Sequence, residues 1–154
     1  DFPREGNGWS YKYARRQWNL VDNHELCYHY LGDFDREMLN VIKSEKNFNS
    51  TPVQEIWHND GDQVLAYMRG EIIFVFNFSP TRSFTDYGFL VPKGSYEIVL
   101  DSDSKDFGGN GFNDDTMVHF TNFDPLYEKD GKEWLKLYLP ARTALVLRIK
   151  QDTK

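Results

Sequence analysis

From residue 22 to about residue 46, Leu26, Tyr30, Phe34, Met38, Val41 and Ile42 recur every three or four positions. That spacing lines apolar side chains along one face of an α-helix. Asp22, followed three residues later by Glu25, reads as a capping pair at its start. At about 1.5 Å per residue such a helix runs on the order of 35 Å, and its stripe is expected to dock on a body larger than the chain supplies. Ahead of it, residues 9–18 (WSYKYARRQW) read as a short helix capped by Ser10.

The period changes after Pro52. Val64, Ala66 and Met68 alternate with Leu65 and Tyr67, and Tyr96, Ile98 and Leu100 alternate with Glu97 and Val99, as in half-buried strands. Ile72, Ile73, Phe74, Val75 and Phe76 are apolar on both faces, which fits a strand in the middle of a packed sheet. Arg69, Gly70 and Glu71 form the hairpin turn between two of these runs. Leu135, Leu137 and Leu139 make one face of a later strand, and Leu145, Leu147 and Ile149 one face of the last. At least six strands with short connections predict a mainly β chain, an antiparallel β-sandwich preceded by a loop and a long helix. The turn formers and proline at 47–52 divide it into residues 1–50 and 51–154.

Composition narrows the function. The 154 residues carry 18 Lys and Arg against 24 Asp and Glu, a net charge of -6 that argues against a nucleic-acid partner. A mean hydropathy of -0.66 with no long apolar run argues against a membrane partner. The single cysteine, Cys27, suits a reducing, cytoplasmic compartment. Aromatic residues reach 16%, enough for a core with rings left over to grip flat ligands.

The candidate chemistry is sparse. His24, His29, His58 and His119 lack metal-ligand spacing, and there is no nucleophile elbow, so no catalytic, metal or cofactor site is expected. Residues 100–111 (LDSDSKDFGGNG) miss the calcium pattern at Lys105, Asp106 and Phe112. Their aspartates do not suit a phosphate cradle, and they read as a structural turn in which Gly supplies positive backbone angles and Asp bonds the local backbone. Trp134, Lys136 and Tyr138 lie opposite the leucines of their strand. Sugar rings stack their apolar faces on Trp and Tyr while polar neighbours take the hydroxyls. This face is therefore either a sugar-binding platform or a surface covered by another sheet or domain. Trp57 carries the same two readings.

Four ordered motifs add a resemblance. DFPREGNGWSY (1–11) with ARRQWNLVD (14–22), then RGEIIFVFNFSP (69–80), then LDSD with FGGNG and HFT (100–121), and finally PARTA (140–144) resemble the C-terminal portion of 1,4-α-glucan branching enzymes, in the alpha-amylase superfamily. Ser79 stands where that pattern usually has histidine. The resemblance implies that residues 1–50 are the tail of a (β/α)8 barrel and 51–154 a C-terminal all-β domain that supports it. It places the family's catalytic carboxylates in motifs upstream of Asp1, so the chain is expected to be inert alone. It implies α-glucan and the rest of the barrel as partners, with Trp9, Tyr11, Tyr13, Arg15, Arg16 and Trp18 adjacent to the sugar site. A C-terminal domain of an α-amylase-type hydrolase, or a free-standing carbohydrate-binding sandwich, is the alternative.

Overall fold

The computed structural model describes residues 18–150. A 3-10 turn at Trp18–Leu20 leads to one long helix, α1 (Tyr28–Ser44). Eight strands follow: β1 (Gln54–Asn59), β2 (Val64–Arg69), β3 (Ile72–Asn77), β4 (Phe84–Pro92), β5 (Ser95–Asp101), β6 (Val118–Phe120), β7 (Lys132–Leu139) and β8 (Thr143–Lys150). They form a six-stranded sheet in the order β1-β2-β3-β8-β5-β6 and a two-stranded sheet of β4 and β7. Every pairing is antiparallel. Among the described residues no helix is long and apolar enough to cross a membrane.

The helix begins later than its stripe predicts. Asn23, not Asp22, organises the approach: its Oδ1 accepts from the Glu25 amide at 3.0 Å and its carbonyl from the Leu26 amide at 3.0 Å. Those bonds hold the segment before Tyr28 in turns, because an Asx side chain competes with helical hydrogen bonding. The helix therefore has 17 residues and runs about 25 Å rather than 35 Å.

Part of the apolar stripe finds its partner within the chain. Phe34, Met38 and Val41 pack on Ile72, Phe74, Leu100 and Val146, on one face of the six-stranded sheet. The opposite face meets the two-stranded sheet through Val64, Ala66, Ile73, Val75, Tyr96, Ile98, Leu145 and Leu147 against Phe89, Val91, Leu135, Leu137 and Leu139. This is why β3 is apolar on both sides: Ile73 and Val75 serve the sandwich core, Ile72 and Phe74 the helix. Each such side chain, fully buried, contributes about 1.5–3 kcal/mol.

The predicted alternation holds along β7 and β8, and the two-residue turn at Gly70 and Glu71 joins Arg69 to Ile72 in register. It fails at one position in β5. A register shift between Ile98 and Leu100 turns Leu100 away from the sandwich core and toward the helix. A bulge adds one residue to one strand, so side chains beyond it change face.

Candidate functional site

Trp57 lies on β1, an edge of the six-stranded sheet, with 43% of its surface exposed. A register shift between Glu55 and Trp57 lets Ile56 pack against the core while the indole reaches across to the other sheet. There Nε1 donates to the Tyr87 hydroxyl at 3.2 Å, and that hydroxyl donates to Oδ2 of Asp62 at 3.0 Å. Asn59 donates to the same oxygen at 3.0 Å, and Arg82 donates to Asp62 Oδ1 at 2.9 Å and to the Gly61 carbonyl at 3.1 Å. The Tyr87 ring packs on Phe84 and Phe89, and burial pushes its phenol above the usual tyrosine value, so it stays a donor. The indole is thus held by its N–H edge, with amide, carboxylate and guanidinium groups nearby.

Trp134 is built differently. Its Nε1 donates to Asp124 at 3.0 Å, its ring meets Tyr127 edge-on at 5.9 Å, and a Cβ on Gly88 would sit 3.0 Å from its Cε3. The ring is therefore half-buried against its own sheet, on the face of β7 away from the sandwich core, with Tyr138 half-buried and Lys136 exposed on that face. Trp57 and Trp134 sit on different sheets and do not share a site. Trp18 is exposed in its turn. Trp9, Tyr11, Tyr13, Arg15 and Arg16 lie outside the described residues.

The Asp/Gly-rich loop is a structural turn, as its composition predicts. Asp103 accepts from the amides of Asn110 and Phe112 at 3.0 and 3.1 Å and from the Asn110 side chain at 3.1 Å. Asp101 accepts from the Asp103 amide and from Asn113, and burial raises its carboxyl above the usual range. Phe107 then meets Phe34 edge-on at 5.3 Å, so the loop braces α1. Ser79 caps a corner: its amide donates to Asn77 Oδ1 and its hydroxyl accepts from the Arg82 amide.

Residues missed by the sequence reading are those that act across strands. Tyr87, Asp62 and Arg82 fix Trp57, and Asp124 and Tyr127 fix Trp134. Nothing in their local spacing marks them, although an Asn and an Asp three residues apart at 59 and 62 signal the turn that orients Asp62.

The sequence profile described as "Alpha amylase, C-terminal all-beta domain" matches residues 56–150. The chain belongs to this family. Similar relatives include a 1,4-alpha-glucan-branching enzyme of Saccharomyces cerevisiae, 41% identical over 152 residues, which covers 98% of this chain and 21% of the relative. The enzyme of the same name from Candida glabrata is 42% identical over 148 residues, covering 96% and 21%. That from Equus caballus is 39% identical over 153 residues, again covering 96% and 21%. The chain spans about a fifth of the length of these curated relatives. Its alpha-amylase-type all-β domain is the eight-stranded body described above, and α1 lies on that domain's outer sheet face.

Proposed function

We propose that this chain is the C-terminal part of a 1,4-α-glucan branching enzyme. The parent cleaves an α-1,4 glucan, holds the glucosyl chain covalently and transfers it to a 6-hydroxyl. The observation that carries this reading is about 40% identity to branching enzymes along nearly the whole chain, including residues before the family domain. In this reading residues 1–50 are the tail of the catalytic barrel and 51–154 the supporting domain, in the cytoplasm. The described chain itself contributes support and glucan contact, not catalysis.

Two features of the structure support those roles. Tyr28, Leu31 and Leu39 remain exposed on α1 beside the side chains that meet the sheet, an apolar stripe for the rest of the barrel to cover. Trp57, held at its N–H edge, offers a ring for a glucose face, and Asp62, Asn59 and Arg82 offer hydroxyl partners. Trp134 and Tyr138 present a second, half-buried aromatic surface. The branching reading itself implies that Trp9, Tyr11, Tyr13, Arg15, Arg16 and Trp18 are adjacent to the parent's sugar site.

The family's description, which names alpha amylase, favours one rival: the same domain behind a hydrolytic barrel. Replacing the corresponding fifth of the yeast relative with this chain tests its fit to a branching barrel. New α-1,6 branches from amylose support the proposal, and a folded chimera that forms none favours the rival. Turnover of amylose by this chain alone would overturn the assignment of a supporting role.

A further inference from the structure

After β6 the chain leaves the large sheet for the small one, and a single bridge pins the crossing: the backbones of Asn122 and Trp134 exchange hydrogen bonds of 2.8 and 3.0 Å. Phe120 and Phe123 flank this crossing and are 69% and 60% exposed. Between them and the β4–β5 turn lies an open groove of about 390 Å³, lined by Lys93, Gly94, Phe120, Thr121, Phe123 and Glu133.

The groove is not simply apolar. Glu133 is buried, 6% exposed, yet charged: Oε2 accepts from the Thr121 hydroxyl at 2.5 Å, and Oε1 lies 3.3 Å from the Lys93 ammonium. Thr121 is itself held by Gly94, whose carbonyl accepts from the Thr121 amide at 3.0 Å and whose amide donates to Oγ1 at 3.1 Å. A carboxylate has about four acceptor positions, and these contacts occupy two. The exposed lysine, held by one partner, has donors to spare.

The combination selects its ligand by elimination. A phosphate or carboxylate ligand would be repelled by Glu133. A metal ion would gain nothing from two phenylalanines and would face Lys93. A wholly apolar partner would bury the ion pair at a cost. A hexose satisfies every group: C–H faces lie on the rings, hydroxyls donate to Glu133, and hydroxyl oxygens accept from Lys93.

We propose that the Phe120–Phe123 groove is a second glucosyl-binding site of this domain, at the edge of the six-stranded sheet opposite Trp57. That glucose is the hexose rests on the reading given under Proposed function. β1 and β6 are the two edge strands, five strand spacings apart, so the sites stand about 24 Å from one another across the sheet. One long glucan can engage both, which raises the avidity for polysaccharide over short oligosaccharides.

The test is an amide-resolved NMR titration of the full chain with maltoheptaose, paired with native gels containing glycogen. The Gly94 and Thr121 amides are expected to shift, and still to shift in Trp57→Ala. Phe120→Ala with Phe123→Ala is expected to abolish those shifts and weaken glycogen retention about tenfold. Both rings are exposed, so the fold should tolerate their loss, and Glu133→Gln provides an independent variant expected to weaken the same shifts. Maltoheptaose leaving Gly94 and Thr121 unmoved overturns the groove while the branching reading stands on the chimera. Shifts at the groove with an unbranched chimera product overturn the branching reading and uphold the groove.

Discussion

Arg148, on the last strand, donates from Nε to Oε1 of Glu45 at 2.7 Å and so joins residues 103 positions apart in the chain. The same guanidinium donates to Ser44 Oγ at 2.8 Å, at the last turn of α1. The helix that precedes the β domain is therefore fastened to the domain's central region by a charged clamp as well as by Phe34, Met38 and Val41.

Arg148→Ala leaves the Glu45 carboxylate, only 13% exposed, without its cation. Because the arginine side chain is 29% exposed, water offsets part of the loss, and the expected cost is about 2 kcal/mol. Urea unfolding checks it, with a double-mutant cycle against Glu45→Gln to isolate the pair. Arg148→Lys should recover part of the stability, since lysine keeps the charge but not the fork that also reaches Ser44.

Gly109 and Gly70 should behave in opposite ways when replaced by alanine. A Cβ on Gly109 would lie 2.2 Å from the Asp103 carbonyl oxygen and 2.6 Å from its Cα, so the backbone itself must move. We expect a loss of about 3 kcal/mol, together with faster amide exchange in α1 as Phe107 withdraws from Phe34. Gly70 has φ of +66° but nothing within 4 Å of the new methyl group. Its replacement should cost only about 1 kcal/mol of backbone strain and leave exchange in α1 unchanged.

These contacts show what the sequence discloses and what it hides. The β7 leucines, the both-faces pattern of β3 and the Gly70 turn are local features, because a strand records its burial in alternate positions. Leu100 misleads since the Val99 bulge is a property of two strands, and the start of α1 misleads because Asn23 competes with Asp22 for the turn. Asn77 hides its role altogether. Its amide donates to the carbonyls of Arg82, Leu139 and Pro140, and only the folded chain brings the last two, 62 and 63 positions away, beside it. The Trp57 anchor is hidden for the same reason, with Tyr87 30 positions along the chain.

That anchor can be tested apart from the ring it holds. Tyr87→Phe keeps the packing on Phe84 and Phe89 but removes the acceptor for Trp57 and the donor to Asp62. If the indole serves glucan, fixing it contributes about 0.7 kcal/mol, so the variant should bind glycogen roughly threefold more weakly. Trp57→Ala should lose about tenfold or more, with Tyr87→Phe adding nothing in the double variant. Equal retention of Trp57→Ala and the parent chain in native glycogen gels would show that the ring does not touch the polysaccharide.

Tyr96 sets the alkaline limit of the fold. Its side chain is among the core residues with no exposed surface, and its hydroxyl donates to the Pro92 carbonyl at 2.7 Å. Burial disfavours the phenolate and pushes the pKa from 10.0 up to about 12. A group whose pKa is raised on folding contributes stability that is complete below its unfolded value and lost as pH rises toward the folded one. Stability should therefore hold up to about pH 10 and fall between pH 10 and 12, as the unfolded chain gives up a proton that the folded chain retains. Tyr96→Phe is expected to be less stable than the parent at neutral pH by about 1 kcal/mol, the net value of the lost hydrogen bond. Its alkaline decline should be shallower, so the gap between the two narrows as pH rises. Parallel urea titrations at neutral and alkaline pH read both effects, and a gap that stays constant over that window would mean the Tyr96 phenol titrates alike in the folded and unfolded chains.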